Sequence, residues 1–124
     1  MAKPSERRRV ARLPIPSRFS GPGLAEQPVC LLDLSRAGAR IEHVRPVPDW
    51  QLCSLTLPPA LGGIRLQGEV VWSQMLRRKR GPRGLGQIYH QSGLTFILLT
   101  PAQQDALAAA LKRLHAAQER PPPE

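Results

Sequence analysis

Two groups of side chains in this chain are of types, and at spacings, that chemistry can use. The first is Arg7-Arg8-Arg9-Val10-Ala11-Arg12, in which Arg8 and Arg12 stand in an R-x-x-x-R pattern. A guanidinium is a flat, permanently charged fork. It meets phosphate oxygens two at a time and stacks on planar faces, which the point charge of a lysine does poorly. The second is Asp33-Leu34-Ser35-Arg36-Ala37-Gly38, a D-x-S-x-x-G turn behind an apolar run. This pattern also has a purely local explanation, because Asp and Ser bond their own backbone in turns and Gly tolerates positive φ. Arginine runs are likewise common as solvated tails. Either group alone is weak; the two in this order, about twenty residues apart, are much more specific.

The charge distribution points the same way. The chain carries 18 Lys and Arg against 9 Asp and Glu, a net +9. Residues 1–12 contribute +4 and residues 75–91, with Arg77, Arg78, Lys79, Arg80 and Arg83, contribute +5, so the remainder is neutral. An excess gathered into two segments implies two anion-seeking patches, for a nucleotide, a nucleic acid or an acidic partner. Catalysis finds less support. His43, His90 and His115 are scattered and fall in no catalytic motif, and no P-loop, G-x-S-x-G or H-E-x-x-H occurs. We therefore expect no enzymatic activity. Cys30 and Cys53 lie inside apolar runs without ligand spacing, which predicts buried free thiols and no metal site. The N-terminal charges are followed by no apolar stretch of the kind a signal peptide needs, and no apolar run is long enough for a membrane span. The expected setting is the reducing cytoplasm, without membrane insertion.

The elements that must position these groups are short strands. With 124 residues the chain has room for one domain. Its 14 Pro and 10 Gly disfavour a helical bundle, and only 4% of residues are aromatic, so the core must be aliphatic. Residues 1–12 read as a flexible basic arm, and 120–124 as a tail. Between them, 13–28 suggest an edge strand and a turn at Gly21-Pro22-Gly23. Val29–Leu34 reads as a buried strand. Ala39, Ile41 and His43 mark a half-buried one, and Cys53, Leu55 and Leu57 another. Leu66, Gly68, Val70 and Trp72 mark one face of a strand from about Ile64 to Gln74. A basic loop follows, and Leu94, Phe96 and Leu98 mark the last strand. Thr100, Pro101 and Gln103 open a helix with a capping box, and Leu107, Leu111 and Leu114 form its apolar stripe. Lys112, Arg113 and His115 suit its C-terminal dipole. The pattern is mainly β: a six-stranded antiparallel barrel over 13–119 with a C-terminal helix.

The arginine cluster and the D-x-S-x-x-G turn, followed by G-E-V-V-W at Gly68–Trp72, G-L-x-F at Gly93–Phe96 and a helix opened by Thr100-Pro101, resemble the PilZ domain, a bacterial receptor module for cyclic di-GMP. The likeness spans roughly residues 6–118. It implies that Arg8 and Arg12 match the family's motif arginines, and that Asp33, Ser35 and Gly38 match its second motif. An arginine at Arg7 goes, in this family, with binding two intercalated ligand molecules per protomer. Arg9 offers a further phosphate contact. Trp72 falls where some relatives place an aromatic beside the ligand, the alternative being an ordinary core residue. Arg36 and Arg40 flank the turn, either solvated or within reach of a phosphate.

The chemistry suits such a ligand. Arginine forks serve phosphates and guanine O6 and N7, and the Asp33 carboxylate can accept from guanine N1–H and N2–H₂, which no arginine can do. The expected behaviour is an adaptor that orders its arm on binding cyclic di-GMP and signals to a downstream protein, with no other cofactor. Two alternatives stay open: a ligand-independent PilZ-like interaction module and a small nucleic-acid-binding barrel. The second is disfavoured by only five aromatics. The basic segment between Met75 and Gln91 departs from the short turn common in the family.

Overall fold

The computed structural model describes residues 15–77 and 88–119. The arm with Arg7, Arg8, Arg9 and Arg12, the tip of the basic loop and the 120–124 tail lie outside the described residues. Among the described residues there are six strands: β1 (Ile15–Gly21), β2 (Leu24–Leu34), β3 (Gly38–His43), β4 (Leu52–Thr56), β5 (Arg65–Arg77) and β6 (Ile88–Phe96). One helix, α1 (Pro101–Glu119), follows. All pairings are antiparallel, in the order β1-β2-β3-β6-β5-β4, and β4 pairs back on β1 to close a barrel. Closure leaves no open sheet edge, the hazard a small sheet would otherwise carry.

The strands form where the residue types demand it. Pro16 and Pro28 are tolerated because each sits where its strand has a ladder partner on one side only. The β1–β4 ladder begins at Arg18 and the β2–β3 ladder at Cys30. The turn between β1 and β2 uses Gly23 at φ 74°. Alternate residues point inward and build an aliphatic core, with Phe19, Leu31, Ile41, Leu55, Leu66 and Val70 all at 1% exposure or less. Each such side chain contributes about 1.5–3 kcal/mol by leaving water.

Several strand limits differ from the sequence reading. Strand β2 begins at Leu24 rather than near Val29. Strand β6 begins at Ile88, where the sequence reads as loop, and ends at Phe96. The polar stretch His90-Gln91-Ser92 is strand because β5 extends to Arg77 and pairs with it residue by residue. Leu98 does not continue the inward set: it is 82% exposed at φ 54°.

The helix starts as its residues dictate. The Thr100 hydroxyl accepts from the Gln103 amide N–H (3.1 Å), and the Thr100 N–H donates to Gln103 Oε1 (2.9 Å). This is a reciprocal capping box with Pro101 at the first helical position. Leu107 and Ala110 are buried in the same core as the barrel, with Leu111 and Leu114 packed beside them. The helix runs on to Glu119, so Lys112, Arg113 and His115 fall short of its last turn. Arg113 instead donates to the Ala60 carbonyl (3.2 Å), tying the helix to the 3₁₀ turn Pro59–Leu61. No helix among the described residues is long and apolar enough to cross a membrane.

Candidate functional site

Two β-bulges decide what the barrel presents to solvent. In β2, Gln27, Val29 and Leu31 point inward, and simple alternation would send Asp33 inward with them. The ladder to β3 slips instead: Leu31 pairs with Ile41 but Asp33 pairs with Arg40, leaving Leu32 as the extra residue. In β5, Leu66, Gly68 and Val70 point inward and Trp72 should follow. Here too the ladder slips, with Val70 opposite Leu94 and Trp72 opposite Gly93, leaving Val71 extra. Each bulge reverses the facing of everything beyond it. Asp33 and Trp72 are thereby exposed on the outer surface. Trp72 therefore does not share the face of Leu66, Gly68 and Val70, as its spacing suggested; its side chain is 39% exposed.

The slipped registers line up one row across four strands: Asp33 on β2, Arg40 on β3, Gly93 on β6 and Trp72 on β5. At about 4.8 Å between strands the row spans about 14 Å. Gly93 has no side chain because the Trp72 indole occupies its place. A Cβ there would lie 2.1 Å from the indole nitrogen. The row, with the Ser35–Gly38 turn above it, lines a cavity of about 400 Å³ that includes Asp33, Ser35, Gly38, Arg40, Trp72 and Gly93. Ligand sites commonly have this size. A second depression of about 410 Å³, lined by Leu52, Arg65 and Leu98 among others, contains none of the candidate ligand-binding residues.

The turn is shaped from within. The Ser35 Oγ accepts from the backbone N–H of Ala37 (3.1 Å) and of Gly38 (3.2 Å). The Ser35 N–H donates to the Gly38 carbonyl (2.9 Å). Phe96 N–H, from β6, donates to the Ala37 carbonyl (2.8 Å), which seats the turn on the barrel. Gly38 is required for packing rather than for a left-handed φ, since a Cβ there would lie 2.0 Å from the Leu94 carbonyl oxygen. The motif's Ser and Gly thus build the turn, and its Asp stands exposed at the cavity.

Beneath the row, the inner face of the same strands holds a polar cluster. His43 is 3% exposed and Ser92 is fully buried. A carbonyl only accepts, so His43 Nδ1–H donates to the Arg45 carbonyl (2.6 Å), and Nε2 then accepts from the Ser92 hydroxyl (2.7 Å). Ser73 and Ser92 hydroxyls lie 2.9 Å apart. The His43 ring stacks between Phe19 and His90. Burial lowers its pKa below the usual 6.5, against the pull of the Arg45 carbonyl, with nearby His90 adding to the fall. Burial, then the Glu69 charge, pushes the Cys53 thiol up to about 12. Cys53 is buried as expected, whereas Cys30 is half-buried; both are free thiols.

Of the residues the sequence nominates, Asp33, Ser35, Gly38 and Trp72 come together at one cavity. Arg7, Arg8, Arg9 and Arg12 lie outside the described residues. Arg36 is exposed and lines no part of the cavity, whereas Arg40 does line it. Sequence reasoning met Gly93 only as part of a strand motif, not as a site residue, and left Arg40 undecided. Only the registers reveal them, because their place in the row depends on two one-residue slips.

Comparison with known proteins gives one consistent result. A sequence model of the PilZ domain matches residues 6–113. No curated protein sequence matches the chain. Among solved structures, the barrel resembles the PilZ domain with c-di-GMP of YcgR from Escherichia coli, at TM-score 0.67 and 11% identity over 86% of this chain and 85% of that one. It also resembles MrkH of K. pneumonia in its apo state, at TM-score 0.66 and 16% identity over 86% of this chain and 50% of that one. The PilZ domain of CeSA from a cellulose-synthesizing bacterium aligns at TM-score 0.56 and 15% identity, over 82% and 93%. With the family match running over nearly the whole chain and the six-stranded barrel in agreement, this protein belongs to the PilZ domain family.

Proposed function

We propose that this chain is a receptor for cyclic di-GMP that folds its arginine arm over ligand held at the Asp33 turn. The observation that carries this reading is the convergence of Trp72 with the Asp33–Gly38 turn, distant from it in sequence, on one cavity. A second supports it. Strand β1 begins at Ile15, whose ladder partner is Leu31, two residues before Asp33. The arm therefore enters the barrel beside the turn. At about 3.3 Å per extended residue, Arg12 lies at most about 10 Å and Arg8 about 23 Å along the chain from that point. These two reaches bracket the length of about 14 Å of the row of strands. The ligand-bound YcgR domain has the same fold.

In this mechanism Asp33 accepts from the N1–H and N2–H₂ of one guanine, and the Trp72 indole offers an apolar plane to the base. Arg8 and Arg12 clamp the phosphates with charge-assisted bonds, each contributing roughly 1.5–3 kcal/mol, which offset the cost of ordering the arm. Arg9 adds a phosphate contact, and Arg7 stacks in a site that holds two intercalated ligand molecules. The ordered arm then presents a new surface to a downstream protein. The ligand can shift this equilibrium only because it binds the closed arm more tightly than the open one.

Isothermal calorimetry tests the reading. The expected result is saturable binding of two cyclic di-GMP per protomer, abolished in an Arg8→Ala, Arg12→Ala double variant and reduced to one per protomer in Arg7→Ala. Absence of heat with the unsubstituted chain, or equal affinity in the double variant, would remove it and favour the ligand-independent interaction module.

A further inference from the structure

We infer that Arg40 reads the guanine base of the ligand and sets the preference for guanine over adenine. This rests on the receptor reading above and assigns a residue that reading leaves without a role. Arg40 occupies the middle of the row, directly opposite Asp33 on one side and Gly93, under the Trp72 indole, on the other. Its Nε is buried and has no hydrogen-bond partner. The guanidinium makes no ion pair with the adjacent Asp33, although their backbones are cross-strand partners.

A buried, charged donor without a partner costs free energy that a side chain of this length could escape by turning to solvent. A carboxylate and a guanidinium side by side at a cavity, both uncommitted, form a complementary pair of acceptor and donor groups. Guanine presents the matching edge: N2–H₂ and N1–H donate, and O6 accepts. With Asp33 taking the donors, Arg40 is the neighbouring cation placed to donate to O6. Adenine puts an N6 amino donor at that position, so the same guanidinium would face a donor and its bond would go unmade. Phosphates, being common to all cyclic dinucleotides, cannot generate this preference.

The test is a set of titrations of the full chain and of Arg40→Met with cyclic di-GMP, cyclic di-AMP and the mixed guanine–adenine cyclic dinucleotide. Arg40→Met keeps much of the side-chain volume and removes the donors, and its melting curve reports whether the barrel is intact. Arg40→Lys keeps the charge without the fork and guards against a folding defect in the first variant. The expected result is a loss of about 10- to 100-fold in cyclic di-GMP affinity in both variants, as for one charge-assisted base contact, with cyclic di-AMP binding unchanged. The mixed ligand should lose affinity through its guanine alone. An equal fold-loss for all three ligands would make Arg40 a phosphate contact and overturn the inference. Unchanged cyclic di-GMP affinity in a folded Arg40→Met would overturn it while leaving the receptor reading in place. No binding by the unsubstituted chain would overturn both.

Discussion

From Arg65 to Glu69, β5 runs against β4 in unbroken register, and alternate residues from Leu66 to Val70 face the core. From Trp72 onward the same strand runs one residue out of phase against β6, and an indole lies on the surface. Strand β2 divides in the same way, at Leu32. The regular halves make the barrel and the slipped halves make the site. The lesson is economical: one bulged residue per strand lets a side chain that unbroken alternation would send to the core stand on the solvent face without altering the topology.

The largest effect should come from erasing a slip. Leu31 and Asp33 already oppose the adjacent β3 residues Ile41 and Arg40, so deleting Leu32 leaves a regular ladder with Asp33 still on the outer face and removes the local bend that a bulge gives its strand. The expected outcome is a chain that still unfolds cooperatively in urea but loses about 100-fold in ligand affinity, because the turn that carries Asp33 is displaced from the cavity. A deletion variant that binds like the parent would mean that the bulge does not position Asp33.

Next come substitutions that separate the two halves. Leu66→Ala, in the regular half and fully buried, should cost about 2–5 kcal/mol by chemical denaturation while leaving ligand affinity of the folded fraction unchanged. Trp72→Ala should do the opposite. It should cost less than about 1.5 kcal/mol in stability, because the indole is part-exposed, and weaken ligand binding by about 10-fold through lost stacking. Equal behaviour of the two variants in both assays would erase the distinction.

The smallest effect is electrostatic. His43 has its pKa lowered from 6.5 by burial, so the unfolded chain binds more protons than the folded one as pH falls below 6.5. Its contribution is fully present above that pH and is lost as pH drops towards the lower, folded-state value. The melting temperature should therefore be flat from pH 8 to 7 and decline from 6.5 downwards, with the decline between pH 6.5 and 5 reduced in His43→Gln. A slope unchanged by that substitution would assign the decline to other groups.

Much of this architecture was legible in the residues. The capping box of Thr100 and Gln103, the aliphatic alternation of β3 and β4, and the D-x-S-x-x-G turn all act locally, so spacing alone exposes them. The site was legible as a set of residue types but not as a geometry. Trp72 reads as a core residue by parity, and only its ladder to Gly93 shows otherwise. Arg40 stays undecided between solvent and ligand, because nothing local reveals a buried Nε. Strand β6 was missed before Leu94 because its inward residue, Ser92, is polar and is satisfied by His43 and Ser73 from other strands. Partners distant in sequence decide these features, and periodicity within one segment cannot see them.

The most direct measurement follows the emission of Trp72 in a Trp50→Phe background during addition of cyclic di-GMP. If base and arginines meet at the Asp33–Trp72 row, the emission will change saturably, and Asp33→Ala or the Arg8→Ala, Arg12→Ala pair will abolish the change. An indole signal that stays flat while calorimetry records binding would place the ligand elsewhere and contradict the account.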